Sequence, residues 1–222
     1  MENQIITVES IIDAYRKNSN KEKAGQMAAY LKNKFPFLGI QKPLRKELNK
    51  EFLKEKSKTK TIDWDLVFEL YQMGEREFHH LALDYLIRMQ KCLEKSDIQH
   101  LEKLILMNSW WDSVDAVSPL VGVLCLQYPE LKTEVVKGWI TSSNIWLKRV
   151  SIIFQLTFKD ETDTHFLSAA ILQNNQTKEF FVNKAIGWAL RQYSKTNPDW
   201  VREFIATHDL SSLSVREGSK YL

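Results

Sequence analysis

The segment MNSWWDSVDAV, at residues 107–117, contains the side chains of this chain that are best suited to chemistry. If a helix begins within it, Trp111 and Asp115 are four residues apart and share one face, which Ser118 continues. An aspartate in mid-helix is a poor helix former, and an exposed tryptophan beside a carboxylate marks a candidate site. Such a carboxylate can stabilise positive charge that develops in a substrate and can orient water.

The neighbouring residues have structural explanations. Ser109 is followed three residues later by Asp112, a capping-box-like spacing that predicts Ser109 as the N-cap and Asp112 as the third helical residue. Trp110 falls at helical spacing with Val114 and Val117, which predicts a core position. Helix capping and core packing therefore do not explain Trp111 and Asp115.

Hydrophobic periodicity predicts helices along almost the whole chain, and no segment shows a convincing strand pattern. Asp63 and Asp163 are predicted N-caps, and Pro43 and Pro198 are predicted first helical residues. No low-complexity linker divides the chain, so we expect one domain over residues 1–222. The predicted helices span residues 8–18, 21–34, 43–56, 63–73, 76–93, 96–107, 110–127, 130–141, 145–158, 164–174, 179–195, 199–207 and 212–221.

An internal repeat organises these helices. The segments WDSVDAVSPLV, WLKRVSIIFQL and FVNKAIGWALR begin at Trp111, Trp146 and Phe181, which are 35 residues apart each time. An earlier segment, FHHLALDYLIR, begins 33 residues before Trp111, at Phe78. A period in the mid-thirties is typical of one helical hairpin per repeat. The sequence therefore predicts an all-α solenoid of HEAT-like repeats in which equivalent helices form one wall.

The repeat places cations beside Trp111 and Asp115. Arg149, preceded by Lys148, lies one residue before the position equivalent to Asp115, and Lys184 lies 35 residues after Arg149. Cations with interleaved aromatic rings suit a nucleic-acid backbone and its exposed bases. The predicted patch consists of Trp111, Asp115, Arg149, Lys184, Trp188 and Arg191.

This patch has more than one interpretation. Trp188 could be ordinary core, with Lys184 and Arg191 as a solvated face. A carboxylate among cations repels phosphate, so Asp115 contributes little to pure binding and favours catalysis. The alternative to an enzyme is a non-catalytic HEAT-like scaffold that binds DNA structures or a protein partner.

Composition sets the cellular context. A net charge of +3 and a pI near 8.7 permit an anionic partner. Contents of 44% hydrophobic and 27% charged residues indicate a soluble globular protein, and the first ten residues lack a signal-peptide layout. Because the histidines and cysteines show no metal-ligand spacing, we expect no metal and no cofactor. We expect a cytoplasmic monomer without membrane contact, associated with the nucleoid through DNA.

The segments SWWDSVD, NIWLKR, KEFFVNKAIGWALRQYSKTNP and MAAYLKNKFPFLGIQKPLRKEL resemble the HEAT-like-repeat DNA glycosylases of the AlkD type. The resemblance runs from about Lys21 to the C-terminus. It implies a right-handed α-solenoid that holds duplex DNA against a basic concave face. It also implies hydrolysis of the N-glycosidic bond of cationic alkylated purines, such as 3-methyladenine and 7-methylguanine, for base excision repair.

The resemblance also assigns roles to residues. It implies that Asp115 is the catalytic carboxylate, that Trp111 and Trp188 are active-site tryptophans, and that Arg149 holds the DNA backbone. Tyr30 matches a tyrosine that contacts DNA in that family. The repeat register adds a further set of predicted DNA-binding cations, which are Lys148, Lys184 and Arg191. The last helical segment, SVREGSKYL, has a weak pattern, so it predicts little about peripheral DNA contacts.

Overall fold

The computed structural model describes residues 7–222, and over that range the chain is all-helical, without a strand. It forms two compact units, the first ending at Leu93 and the second spanning Glu94–Leu222. The prediction of one domain over residues 1–222 stays a prediction. The absence of a signal peptide is predicted partly on residues 1–6, which lie outside the described residues. Within residues 7–222, no helix combines the length and apolar character that a membrane span requires.

The first unit contains five α-helices in its described part. α3 packs against α1 and α5, and α4 packs against α5. Polar side chains connect alternate helices, because the Tyr15 hydroxyl donates to Asn49 Oδ1 at 2.5 Å and Asn49 donates to Asp84 Oδ2 at 3.0 Å. The helices are α1 (Val8–Lys17), α2 (Lys21–Tyr30), α3 (Lys42–Lys56), α4 (Trp64–Gln72) and α5 (Arg76–Met89).

The second unit contains the predicted chemistry. Its helices are α6 (Ile98–Leu106), α7 (Trp111–Gln127), α8 (Lys137–Trp139), α9 (Ile145–Ile153), α10 (Thr164–Leu172), α11 (Phe180–Tyr193), α12 (Pro198–Thr207) and α13 (Ser212–Gly218). A π-helical turn over Lys132–Val136 precedes α8. Helix α9 packs against α7 on one side and α11 on the other, and α11 packs against α13.

The repeat register accounts for this packing. Helices α7, α9 and α11 begin at residues 111, 145 and 180, which are 34 and 35 residues apart. Their consecutive packing confirms that repeat-equivalent helices are neighbours. The approach of α7 to α9 is close, because a Cβ on Gly122 would lie 2.5 Å from the carbonyl oxygen of Phe154. The solenoid and its concave face stay predictions.

Several predicted helix starts are confirmed, and those at Pro43 and Ser109 are wrong. Asp63 accepts from Leu66 N–H at 3.0 Å, Asp163 accepts from Phe166 N–H at 2.9 Å, and Pro198 is the first residue of α12. Pro43 is the second residue of α3 rather than the first.

The capping box predicted at the start of α7 is not formed. The N-cap is Trp110, without a side-chain cap hydrogen bond. The Ser109 hydroxyl instead donates to the carbonyl of Ile105 at 2.6 Å, on the preceding helix. Asp112 still lies in the first turn of α7, where the helix dipole favours a negative charge.

Candidate active site

The structure brings six of the predicted site residues to one cleft in the second unit. The cleft encloses about 370 Å³, within the range of small-molecule sites in proteins. The predicted residues that line it are Trp111, Asp115, Arg149, Lys184, Trp188 and Arg191. Two further residues, Phe180 and Phe181, complete the lining.

Asp115 and Arg149 form a bidentate ion pair in this cleft. Arg149 Nε donates to Asp115 Oδ1 at 2.7 Å, and Nη2 donates to Oδ2 at 2.8 Å. Nη1 donates to the carbonyl of Phe181 at 2.6 Å. Asp115, Arg149 and Lys184 are the fifth residues of α7, α9 and α11, so the repeat itself places their side chains side by side. Two parallel N–H···O bonds fix the plane of the carboxylate as well as its position.

The sequence placed Arg149 beside Asp115, and the structure adds that the two are directly paired. Arg149 is only 3% exposed, and three of its N–H groups are bound within the protein. Its observed role is to hold Asp115, while the predicted contact of Arg149 with the DNA backbone stays a prediction. Asp115 keeps 19% of its side chain exposed. Each carboxylate oxygen has a second lone pair available for water or substrate.

The electrostatic environment of Asp115 contains opposing influences. Burial raises the pKa of Asp115 above its usual value of 3.8, and the charge on Asp112 raises it further. The hydrogen bonds and the charge of Arg149 lower the pKa of Asp115, but they do not cancel the effect of burial. The Arg149 cation therefore favours the anionic form of a carboxylate that burial alone disfavours.

The tryptophans of the opening segment have different positions. The Trp110 ring packs against Trp146 and Phe181, with centroids 5.7 and 5.1 Å apart, but Trp110 is half-buried rather than in the fully buried core that its spacing predicted. Trp111 and Trp188 are both half-buried and both line the cleft. The guanidinium carbon of Arg149 lies 5.9 Å from the Trp188 ring centroid. The cleft therefore combines a carboxylate with two aromatic surfaces.

Phe180 is a cleft residue that sequence analysis missed. Its side chain is 58% exposed and contacts the Phe181 ring edge-on, with centroids 5.3 Å apart. An exposed phenylalanine beside a packed one is a signal that the segment KEFFVNK already contains. The ring provides a further apolar surface for a flat ligand.

The cationic side of the cleft depends on a second missed residue, Glu217. Lys184 Nζ lies 2.9 Å from Glu217 Oε1, and Arg191 Nη1 lies 2.9 Å from Oε2. Lys184 and Arg191 line the cleft as predicted, but they are ion-paired rather than simply solvated. Glu217 lies on α13, the segment whose weak pattern gave no reason to expect a role.

The remaining predicted residues lie elsewhere. Lys148 is half-buried on α9 and does not line the cleft. Tyr30 is the last residue of α2, in the first unit, and is 71% exposed. Ser118 was predicted on the face of Asp115, but it is buried. The DNA contacts predicted for Lys148 and Tyr30 stay predictions.

A glycine on α11 allows α13 to approach closely, and this gives a first prediction. A Cβ on Gly187 would lie 2.5 Å from Glu217 Cβ, a separation that real Cβ atoms do not show. Gly187→Ala should therefore force the helices apart and destabilise the protein by about 1–3 kcal/mol, as overpacking does. Thermal or urea unfolding measures this change.

Gly138→Ala is the matched control for that substitution. No atom lies within 4 Å of a Cβ added at Gly138, which is in α8. The same change there should be neutral or should stabilise the helix by up to about 1 kcal/mol. Equal losses of stability in the two variants would contradict the close packing of α11 on α13.

Comparison with known proteins shows the family of the chain. The model of the DNA alkylation repair enzyme family matches residues 11–222. The chain belongs to that family. The structure of a predicted DNA alkylation repair enzyme from Enterococcus faecalis is 37% identical, with a TM-score of 0.86, and the match covers 92% of this chain and 96% of that one.

A second, less similar structure shows only that the fold is shared with this chain. It is smu.31 from Streptococcus mutans UA159, which is 20% identical with a TM-score of 0.60, and the match covers 80% of this chain and 97% of that one. No match is found among curated proteins. Membership of the DNA alkylation repair enzyme family points to repair of alkylated DNA as the field of action.

Proposed function

We propose that this protein is a DNA glycosylase of the AlkD type, which hydrolyses the N-glycosidic bond of cationic alkylated purines in duplex DNA. The observation that carries the proposal is the Asp115 carboxylate, held by Arg149 in a cleft between Trp111 and Trp188. The substrates are 3-methyladenine and 7-methylguanine, whose fixed positive charge makes the base a good leaving group. No general acid is then required.

In the proposed reaction, the bond between C1′ of the deoxyribose and the ring nitrogen of the base breaks. Its electron pair goes to the base and neutralises the positive charge there. The sugar becomes oxocarbenium-like, and anionic Asp115 stabilises that charge and orients a water molecule. Water adds to C1′ and releases a proton, so the products are the free base and an abasic site with an intact strand.

The aromatic side chains provide selectivity for charge in this proposal. Trp111 and Trp188 offer π faces to the cationic base or to the developing sugar cation, an attraction that neutral bases lack. Lys184 is ion-paired with Glu217 at 2.9 Å, so its amine is already engaged by a carboxylate. Water is therefore the proposed nucleophile, and the enzyme is monofunctional.

The test of this function is a panel of duplexes that differ only in one base. We expect the protein to release 7-methylguanine and 3-methyladenine and to leave hypoxanthine and uracil, which are neutral, in place. Free base is quantified by chromatography after single-turnover incubation. Equal release of neutral and cationic bases would contradict the proposed use of charge.

One observation favours the alternative, a non-catalytic scaffold for DNA or for a protein partner. Asp115 has a structural partner in Arg149, so its presence on a basic surface does not by itself require catalysis. Buried ion pairs of this kind also occur for purely structural reasons. The scaffold predicts binding of duplex DNA without release of any base from the panel above.

DNA binding itself gives a second prediction. Lys184→Ala should weaken binding of undamaged duplex DNA irrespective of sequence. It should also reduce the slope of log K against log salt by up to about 0.9, as expected for one lost phosphate contact. Fluorescence anisotropy over a salt series measures both quantities.

Lys95→Ala is the control for Lys184→Ala. Lys95 is also an ion-paired lysine, with Glu130 and Glu134 at 2.9 and 3.1 Å, but it does not line the cleft. Its replacement should leave the salt slope unchanged. The same slope in wild type and Lys184→Ala would count against a DNA-facing cleft.

A further inference from the structure

Glu217 lies on α13, yet its carboxylate contacts cleft cations that belong to α11. Lys184 Nζ lies 2.9 Å from Glu217 Oε1, and Arg191 Nη1 lies 2.9 Å from Glu217 Oε2, so each carboxylate oxygen pairs with one of these cations. Lys220, in the turn that follows α13, contacts Oε2 at 2.9 Å. The Glu217 side chain is only 6% exposed, so its charge acts on these partners more than on solvent.

Packing leaves this carboxylate little freedom to move. Gly187 lies on α11 between the two cations, and its missing Cβ is what admits Glu217 Cβ. The Ser214 hydroxyl, also on α13, donates to the carbonyl of Asn183 on α11 at 3.0 Å. Helix α13 is thus fixed against α11 at the point where the glutamate reaches the cations.

The charge of Glu217 persists over the whole working range of pH. Hydrogen bonds from Lys220 and Lys184 lower the pKa of Glu217 to about 2, against the opposing effect of burial. The carboxylate is therefore present as an anion whenever DNA is present. Lys184 and Arg191 consequently reach the cleft already oriented and already partly neutralised.

We propose that Glu217 is a positioning residue of the active site, which holds Lys184 and Arg191 at the edge of the Asp115 cleft and competes with DNA phosphate for them. Held cations meet a phosphate beside the lesion in a preset geometry, without a further loss of side-chain freedom. Partial neutralisation limits the grip on undamaged DNA. The rate effect rests on the proposed glycosylase function, whereas the binding effect does not.

The test uses Glu217→Gln in the full-length protein. We expect undamaged duplex to bind about three- to tenfold more tightly, because one negative charge near the phosphates is removed. We expect single-turnover release of 7-methylguanine at saturating protein to slow about tenfold, because the two cations lose their fixed positions. Opposite changes in affinity and rate are a signature that neither partial unfolding nor a lost contact produces.

A double-mutant cycle isolates the route of the effect. In a Lys184→Met/Arg191→Met background, Glu217→Gln should alter affinity and rate by less than about twofold, because its targets are absent. The control is Glu203→Gln, because Glu203 is exposed on α12 and its replacement makes the same change in net charge. This variant should keep DNA affinity and the rate of base release within about twofold of wild type. Parallel losses of affinity and rate in Glu217→Gln, or full effects in the double background, would overturn the proposal.

Two outcomes separate this inference from the function on which it partly rests. If wild type releases no base, the glycosylase proposal fails, while the affinity arm of the cycle still decides whether Glu217 competes for the cations. If Glu217→Gln does not fold, Glu217→Asp provides the test, since it keeps the charge but withdraws the carboxylate by one methylene. That variant should slow base release without tightening binding, and a wild-type rate in it would refute positioning by Glu217.

Discussion

Asp115→Asn is expected to slow the release of 7-methylguanine by about 100-fold or more, the scale of losing one preorganised electrostatic group. Asparagine keeps the size of the side chain and an oxygen that accepts from Arg149, but it removes the negative charge. The developing sugar cation then loses its counter-charge. Single-turnover release at saturating protein measures this effect without interference from product dissociation.

Binding should respond in the opposite direction. Affinity of Asp115→Asn for duplex DNA should hold or rise, because one source of phosphate repulsion is removed. Asp112→Asn is the matched control, since it removes an equal charge three residues away, in the first turn of α7. It should cost at most about 1 kcal/mol of stability through the helix dipole and leave the rate per folded molecule little changed. A wild-type rate in Asp115→Asn would refute the assignment of the carboxylate.

Arg149→Met should make base release strongly dependent on pH. Methionine replaces the aliphatic part of arginine but leaves Asp115 without its bidentate partner. Burial then raises the pKa of Asp115 unopposed by Arg149. Release should fall as pH drops through that raised pKa, and its acid limb should lie at higher pH than in wild type. Release rates measured over a range of pH compare the acid limb of Arg149→Met with that of wild type.

The stability of Arg149→Met should depend on pH in the opposite sense to its rate of base release. Leaving a buried carboxylate unpaired costs about 2–3 kcal/mol, below the range for fully buried pairs because Asp115 keeps some contact with water. The folded protein with the raised pKa binds the Asp115 proton more tightly than the unfolded chain does. Lowering the pH through that pKa should therefore recover stability while activity is lost. Acid limbs that coincide in wild type and Arg149→Met would contradict the role of Arg149.

Helices and their neighbours were predictable because periodicity and repeat length are local properties of the sequence. The 35-residue spacing placed Trp111, Trp146 and Phe181 correctly on consecutively packed helices. Local features at helix ends were less predictable. Ser109 has the residue type of an N-cap, but its hydroxyl is taken by the carbonyl of the preceding helix. Periodicity likewise did not distinguish the π-helical turn before α8 from an α-helix, because five residues are too few to separate the two periods.

The cleft was predictable as a set of residues but not as a network. The repeat register predicted that Asp115, Arg149 and Lys184 share one face. It did not predict that Asp115 and Arg149, which are 34 residues apart in the sequence, are in direct contact. Glu217 was missed for a different reason. Its helix has only seven residues, too short for a strong amphipathic pattern, and its contact with α11 depends on a glycine on the partner helix. Tertiary packing of this kind leaves no periodic trace in the sequence.

Cleavage of a glycosidic bond in the Asp115 cleft can be measured in a single reaction. Wild-type protein in excess is incubated with a duplex that carries a single 7-methylguanine, and the free base and the strand are analysed separately by mass spectrometry. We expect free 7-methylguanine in amounts equal to abasic sites, with the strand uncut until alkali is added. A duplex that stays fully bound while no free base forms would rule out the glycosylase and leave a DNA-binding scaffold.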